Sequence, residues 1–190
     1  MDRISLLAKW HDVPPGGTPS ALPPGPPLKL PLDVDAYMAG QRAAAVIVLH
    51  DGKLRLERYG LGFDAAGRWT SFSVAKSITS TLLGAALKDG FIKNMDDKVS
   101  DYIPEMKGSA YDEVSIRQLL TMTSGVKWNE NYADPNSDVA RFNNHQPEPG
   151  VDALVSYMRK LPREVPPGTR WLYSTGETNL VGILLNRAIK

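Results

Sequence analysis

Trp69-Thr70-Ser71-Phe72-Ser73-Val74-Ala75-Lys76-Ser77 is the stretch whose reading decides the fold of this 190-residue chain. Gly67 to Phe72 reads as an exposed loop, and from Ser73 the pattern turns helical. Val74, Ile78, Leu82 and Ala86 recur at i+4, flanked by Ala75, Leu83 and Leu87, and Gly90 supplies a stop. Residues three apart on a helix share a face, so the Ser73 hydroxyl and the Lys76 amine can meet at the helix N-terminus. A serine hydroxyl is a weak nucleophile until a neighbouring base takes its proton. A lysine partly withdrawn from water can be that base, because desolvation favours its neutral form. The free N–H groups of the first turn can help hold an oxyanion.

With 13 serines and 11 lysines in the chain, roughly one Ser-x-x-Lys is expected by chance, so the pair needs context. A second copy, Ser124-Gly125-Val126-Lys127, follows a Thr-Ser-Gly run and reads as a turn, where serine and lysine would not share a helical face. The absence of cysteine excludes disulfides, thiolate metal sites and a cysteine nucleophile. His11, His50 and His145 are scattered without metal-ligand spacing, and no Gly-x-Ser-x-Gly elbow occurs. The chemistry left is that of Ser, Lys and Tyr, with no metal and no cofactor expected.

A net charge of +1 gives no reason to expect nucleic acid or an anionic membrane as partner. The longest apolar run, Ala43 to Leu49, is too short to span a bilayer. The N-terminus lacks the apolar region of a secretory signal, so the expectation is a cytoplasmic protein, or one whose true start lies upstream.

Residues 1–31 hold 8 of the 15 prolines and are expected to run over the surface as an extended, unpaired arm, with residues 32–190 forming the domain proper. Ala43 to Leu49, Asp51-Gly52 and Leu54 to Tyr59 predict a β-hairpin. Its all-apolar first strand predicts burial on both faces. Helices are expected over the Ser73 segment, over Asp112 to Thr123, over Val151 to Leu161 and from Gly176 onward. Residues 126–150, aromatic- and Asn-rich with turn signals, predict a long ordered loop that lines a site.

Taken with Met95-Asp-Asp-Lys-Val-Ser-Asp-Tyr-Ile-Pro104 and Val114-Ser-Ile-Arg-Gln-Leu-Leu-Thr-Met-Thr-Ser-Gly125, the Ser73 stretch resembles the serine β-lactamase and penicillin-binding superfamily. Within it, the chain is most similar to the class C-like branch of carboxylesterases and 6-aminohexanoate-dimer hydrolases. The resemblance implies an α/β (α+β) β-lactamase-like fold, represented by the first hairpin of its antiparallel sheet and its mainly helical part. The superfamily's third motif, Lys-Thr-Gly or His-x-Gly on a sheet strand, is not found, so the chain is expected to be the N-terminal portion of a larger enzyme.

The resemblance also implies roles. Ser73 would be the nucleophile of an acyl-enzyme, Lys76 its base, and Tyr173 of Tyr173-Ser174-Thr175 the counterpart of the family's Tyr-x-Asn. Thr175 stands where β-lactamases carry the Asn that holds the antibiotic's side-chain amide, which turns the expectation from β-lactams toward esters and other amides. Tyr132, in Asn129-Glu-Asn-Tyr132-Ala-Asp-Pro-Asn-Ser-Asp138, falls where the dimer hydrolases carry a substrate-contacting tyrosine. Asn143 falls at one of their acidic substrate-binding positions and cannot pair with an ammonium as a carboxylate would. The expected partner is a small-molecule ester or amide, with a homodimer of the intact protein also open. The alternatives are a β-lactamase or D,D-peptidase-like enzyme, and a non-catalytic recognition domain or inactive fragment.

Overall fold

The computed structural model describes residues 21–190, in two compact units that divide between Thr70 and Ser71. Much of the proline-rich arm, including Pro14-Pro15-Gly16-Gly17, lies outside the described residues. The rest is extended but paired: the Gly25 N–H donates to the Leu54 carbonyl and the Leu54 N–H to the Pro23 carbonyl, both at 2.9 Å. Prolines lack a donor yet keep an acceptor, so a Pro-rich segment with a glycine between its prolines can still run beside a strand.

In the first unit, helix α1 (Val34–Gln41) begins where the Asp33 carboxylate accepts from the N–H groups of Asp35 and Ala36. The expected hairpin comes next as strands β1 (Ala45–His50) and β2 (Lys53–Tyr59), antiparallel, with a register irregularity between Val48 and Leu49. Asp51 and Gly52 both take positive φ (52° and 68°), the geometry of a two-residue hairpin turn that matches the strand twist. Burial on both faces of β1 is not found. Val46 and Val48 are half-buried while Ile47 and Leu49 are exposed, because the sheet has two strands among the described residues and leaves one face open.

The second unit is helical and organised around α7 (Thr175–Ala188), whose Leu180, Val181, Leu184 and Leu185 are buried. Against it lie α2 (Val74–Lys88), α3 (Val99–Tyr102), α4 (Ile116–Leu120) and α6 (Ala153–Met158). Leu83, Ile103, Tyr111, Val114, Ile116, Leu119, Val155 and Met158 complete one core, each full aliphatic burial contributing about 2 kcal/mol. Beyond the core, Arg187 of α7 forms a two-pronged ion pair with Glu105, in the short 3-10 turn Pro104–Met106.

Helical spacing sets the length of α2 but not its inward face. Of the expected Val74–Ile78–Leu82–Ala86 stripe, the first three are 67%, 61% and 56% exposed, and Ala86 at its end is buried. The stripe turned to the core is Lys76, Thr79, Ser80, Leu83, Ala86 and Leu87. Both stripes obey helical spacing, and contact with α7 selects the second.

Two helices start later than expected. The second begins at Ile116 because Ser115 and Gln118 form a reciprocal capping box, while the Val114 carbonyl holds the Val99 N–H in an extended stretch. Asp152 caps α6 and sets its start at Ala153. The loop 126–150 contains α5 (Asp138–Arg141) and a 3-10 turn at Phe142–Asn144. Among the described residues no helix is long and apolar enough to cross a membrane.

Candidate active site

Ser73 occupies the cap position of α2, where a serine commonly accepts an N–H of the first turn. Its hydroxyl makes no such bond. Instead Oγ accepts from Lys76 Nζ at 3.1 Å, one turn along the helix, and from the Tyr173 hydroxyl at 2.8 Å. Lys76 Nζ also lies 5.2 Å from the centroid of the Tyr173 ring. Lys76 is half-buried and Ser73 exposed. Phe72, the residue before Ser73, has φ 42°, a left-handed conformation that costs a bulky residue on the order of 1–3 kcal/mol and recurs at functional sites.

Tyr173 is held by its neighbours in the chain and by the loop it faces. Ser174 caps α7, its hydroxyl accepting from the Glu177 N–H, and the Leu172 N–H donates to the Met122 carbonyl. The Tyr173 phenol sits below the usual tyrosine value of 10.0, first because of its hydrogen bond with Lys76 and next because of that with Ser73.

Tyr132 and Thr175 converge on a residue that sequence reading passed over. The Glu130 carboxylate accepts from the Tyr132 hydroxyl (2.6 Å), the Thr175 N–H (3.0 Å), the Thr175 hydroxyl and the Trp128 indole N–H. Burial pushes the Glu130 carboxyl up, but the two Thr175 bonds, Tyr132 and Trp128 outweigh it and hold the group below the usual carboxylate range. The signal was present as Trp128-x-Glu130-x-Tyr132: in an extended segment, alternate residues point the same way. Asn143 is exposed on the 3-10 turn and takes part in none of these bonds.

The second Ser-x-x-Lys does something else. Ser124 is buried, its hydroxyl donating to the Glu177 carboxyl and accepting the Val126 N–H at 3.1 Å, while Lys127 is exposed. Gly125 between them has φ 74°, and a Cβ there would stand 2.1 Å from the Val165 carbonyl oxygen. Glu177 was also missed. Ser174-x-x-Glu177 has the spacing of a surface capping box, yet the carboxyl turns inward to Ser124 and Tyr111, with Oε2 buried and unpartnered. Burial pushes it up to about 7.

Comparison with known proteins decides the relationship. The family model described as Beta-lactamase matches residues 33–189. The chain belongs to the Beta-lactamase family. It is similar to the 6-aminohexanoate-dimer hydrolase of Paenarthrobacter ureafaciens, 38% identical over 95 residues, which is 50% of this chain and 24% of that one. It is also similar to a β-lactamase of Pseudomonas fluorescens, 27% identical over 152 residues, 76% of this chain and 38% of that one. A solved structure from Bacillus anthracis, named as a candidate 6-aminohexanoate-dimer hydrolase, superposes with TM-score 0.66 at 19% identity, over 83% of this chain and 43% of that one. This likeness extends the family assignment to the β-lactamase-like fold. The match thus spans about a quarter and about two fifths of the length of these two curated relatives.

Proposed function

We propose that the protein carrying this chain is a serine hydrolase that cleaves small esters or amides through an acyl-enzyme on Ser73. The observation that carries the reading is the double hydrogen bond to Ser73 Oγ, from Lys76 Nζ at 3.1 Å and the Tyr173 hydroxyl at 2.8 Å. With Tyr173 ionised or Lys76 neutral, either is placed to take the Ser73 proton as Oγ attacks the carbonyl carbon. The lowered Tyr173 phenol increases the fraction available as base.

The C=O π-bond breaks as the Oγ–C bond forms, and the developing oxyanion needs donors. Among the described residues the Ser73 N–H has no acceptor, which suits it to that task. The tetrahedral adduct collapses, the bond to the leaving oxygen or nitrogen breaks, and the proton held by Tyr173 and Lys76 passes to the leaving group. Water then gives a proton to the same pair as it attacks the acyl carbon; the Oγ–C bond breaks, the proton passes to Ser73 Oγ and the acid leaves.

Esters and simple amides are favoured over β-lactams because both polar groups of Thr175 that could donate, its N–H and its hydroxyl, are given to Glu130. Neither is left to hold a side-chain amide. A non-catalytic recognition role is disfavoured by two titratable groups, Lys76 and Tyr173, converging on the Ser73 oxygen. The test is a fluorophosphonate probe followed by peptide mapping. Label on Ser73, absent from Ser124, is expected; label on Ser124, or none, overturns the proposal.

A further inference from the structure

Glu130 carries a charge that acylation of Ser73 does not use, and its bonds divide by donor type. Oε2 accepts from the Trp128 indole N–H and the Thr175 backbone N–H, which can only donate. Oε1 accepts from the hydroxyls of Tyr132 and Thr175, which can reverse and accept. A carboxylate offers about four acceptor positions, so all are filled and none is left for a close pair with a substrate ammonium. The charge can therefore act on a substrate only through its field. It stands close to the reacting groups: both oxygens bind Thr175, two residues beyond the Tyr173 whose hydroxyl binds Ser73 Oγ. The same hydrogen bonds keep the group ionised at neutral pH.

We propose that Glu130 is a specificity-determining residue: its fixed negative charge beside Thr175 and Tyr173 turns away substrates that carry an anionic group near the scissile carbonyl and admits neutral or cationic ones. This rests on Ser73 being the acylated residue. Two like charges at separations of about 10 Å and an effective dielectric of about 20 change a rate on the order of tenfold.

The donor pattern supplies a clean substitution. In Glu130→Gln the amide oxygen can keep the two N–H donors while its NH₂ donates to the two hydroxyls, so the clamp survives and the charge does not. The experiment uses the full-length protein and two fluorophosphonates of equal length, one ending in a methyl ester and the other in a carboxylate. Wild type should label Ser73 faster with the neutral probe by on the order of tenfold. In Glu130→Gln that ratio should fall close to one. Raising salt from about 0.02 M to about 0.5 M should narrow the wild-type ratio, a reading that does not depend on any variant folding. A ratio near one in wild type, a ratio unmoved by salt, or a ratio unchanged in Glu130→Gln overturns the assignment. Failure of both probes to label Ser73 in wild type instead overturns the nucleophile reading, and this inference with it.

Discussion

The Tyr173 hydroxyl stands 2.8 Å from Ser73 Oγ although the two residues are 100 positions apart in sequence. The contact joins the start of α2 to the residue just before the cap of α7, the two helices whose packing selects the inward face of α2. This contact is thus fastened to the hydrophobic core: Leu83 and Ala86 on one helix, Leu180 and Val181 on the other, hold the two hydroxyls in register.

Removing that hydroxyl should separate chemistry from folding. Tyr173→Phe in the full-length protein is expected to lower ester turnover by about 10²–10⁴-fold, with circular dichroism and melting temperature close to wild type. In wild type, turnover should rise with pH as the phenol loses its proton, with a midpoint below 10.0, because Lys76 and Ser73 favour the phenolate. Near-full activity in the Phe variant would remove Tyr173 from the reaction.

The proposed substrate preference rests on the commitment of Thr175 to Glu130. Short-chain esters should exceed a cephalosporin in kcat/KM by more than about a hundredfold, since no free donor remains at Thr175 for the antibiotic's side chain. Comparable values for the two would show that the Thr175 bonds rearrange around a β-lactam.

Two glycines should respond with opposite signs. Gly125→Ala forces a Cβ onto the Val165 carbonyl at a positive φ, and is expected to destabilise by about 3 kcal/mol or more. At Gly182, inside α7, a Cβ would meet nothing within 4 Å, so Gly182→Ala should stabilise by about 0.5–1 kcal/mol. Thermal melting of both variants against wild type checks the pair.

Glu177 predicts a pH dependence of stability. Its folded value, pushed up to about 7 by burial, lies above the 4.5 of an exposed glutamate, so between those values the native state binds more protons than the unfolded one. Stability should therefore fall as pH rises from about 4.5 to about 7, by an amount on the order of 3 kcal/mol from this group alone. Glu177→Gln should flatten that part of the profile. Urea melts at pH 5, 6, 7 and 8 on the two proteins, compared by difference, would show it, and parallel curves would disprove it.

The sequence by itself determined the local pieces: the Asp51-Gly52 hairpin, the α2 helix with Ser73 and Lys76 one turn apart, and the start of α7 just after Tyr173. Each depends on neighbours within a few positions, where turn chemistry, periodicity and caps act. Only the tertiary structure decided which stripe of α2 faces inward, because two stripes of equal periodicity compete and the partner helix chooses. Only it brought Tyr173 to Ser73, and Ser124 to a buried Glu177 instead of to Lys127. Glu130 was overlooked for the same physical reason. A carboxylate next to an exposed tyrosine looks like a solvated surface charge until folding brings Thr175 and Trp128 to it, and four converging donors are a property of the folded chain alone.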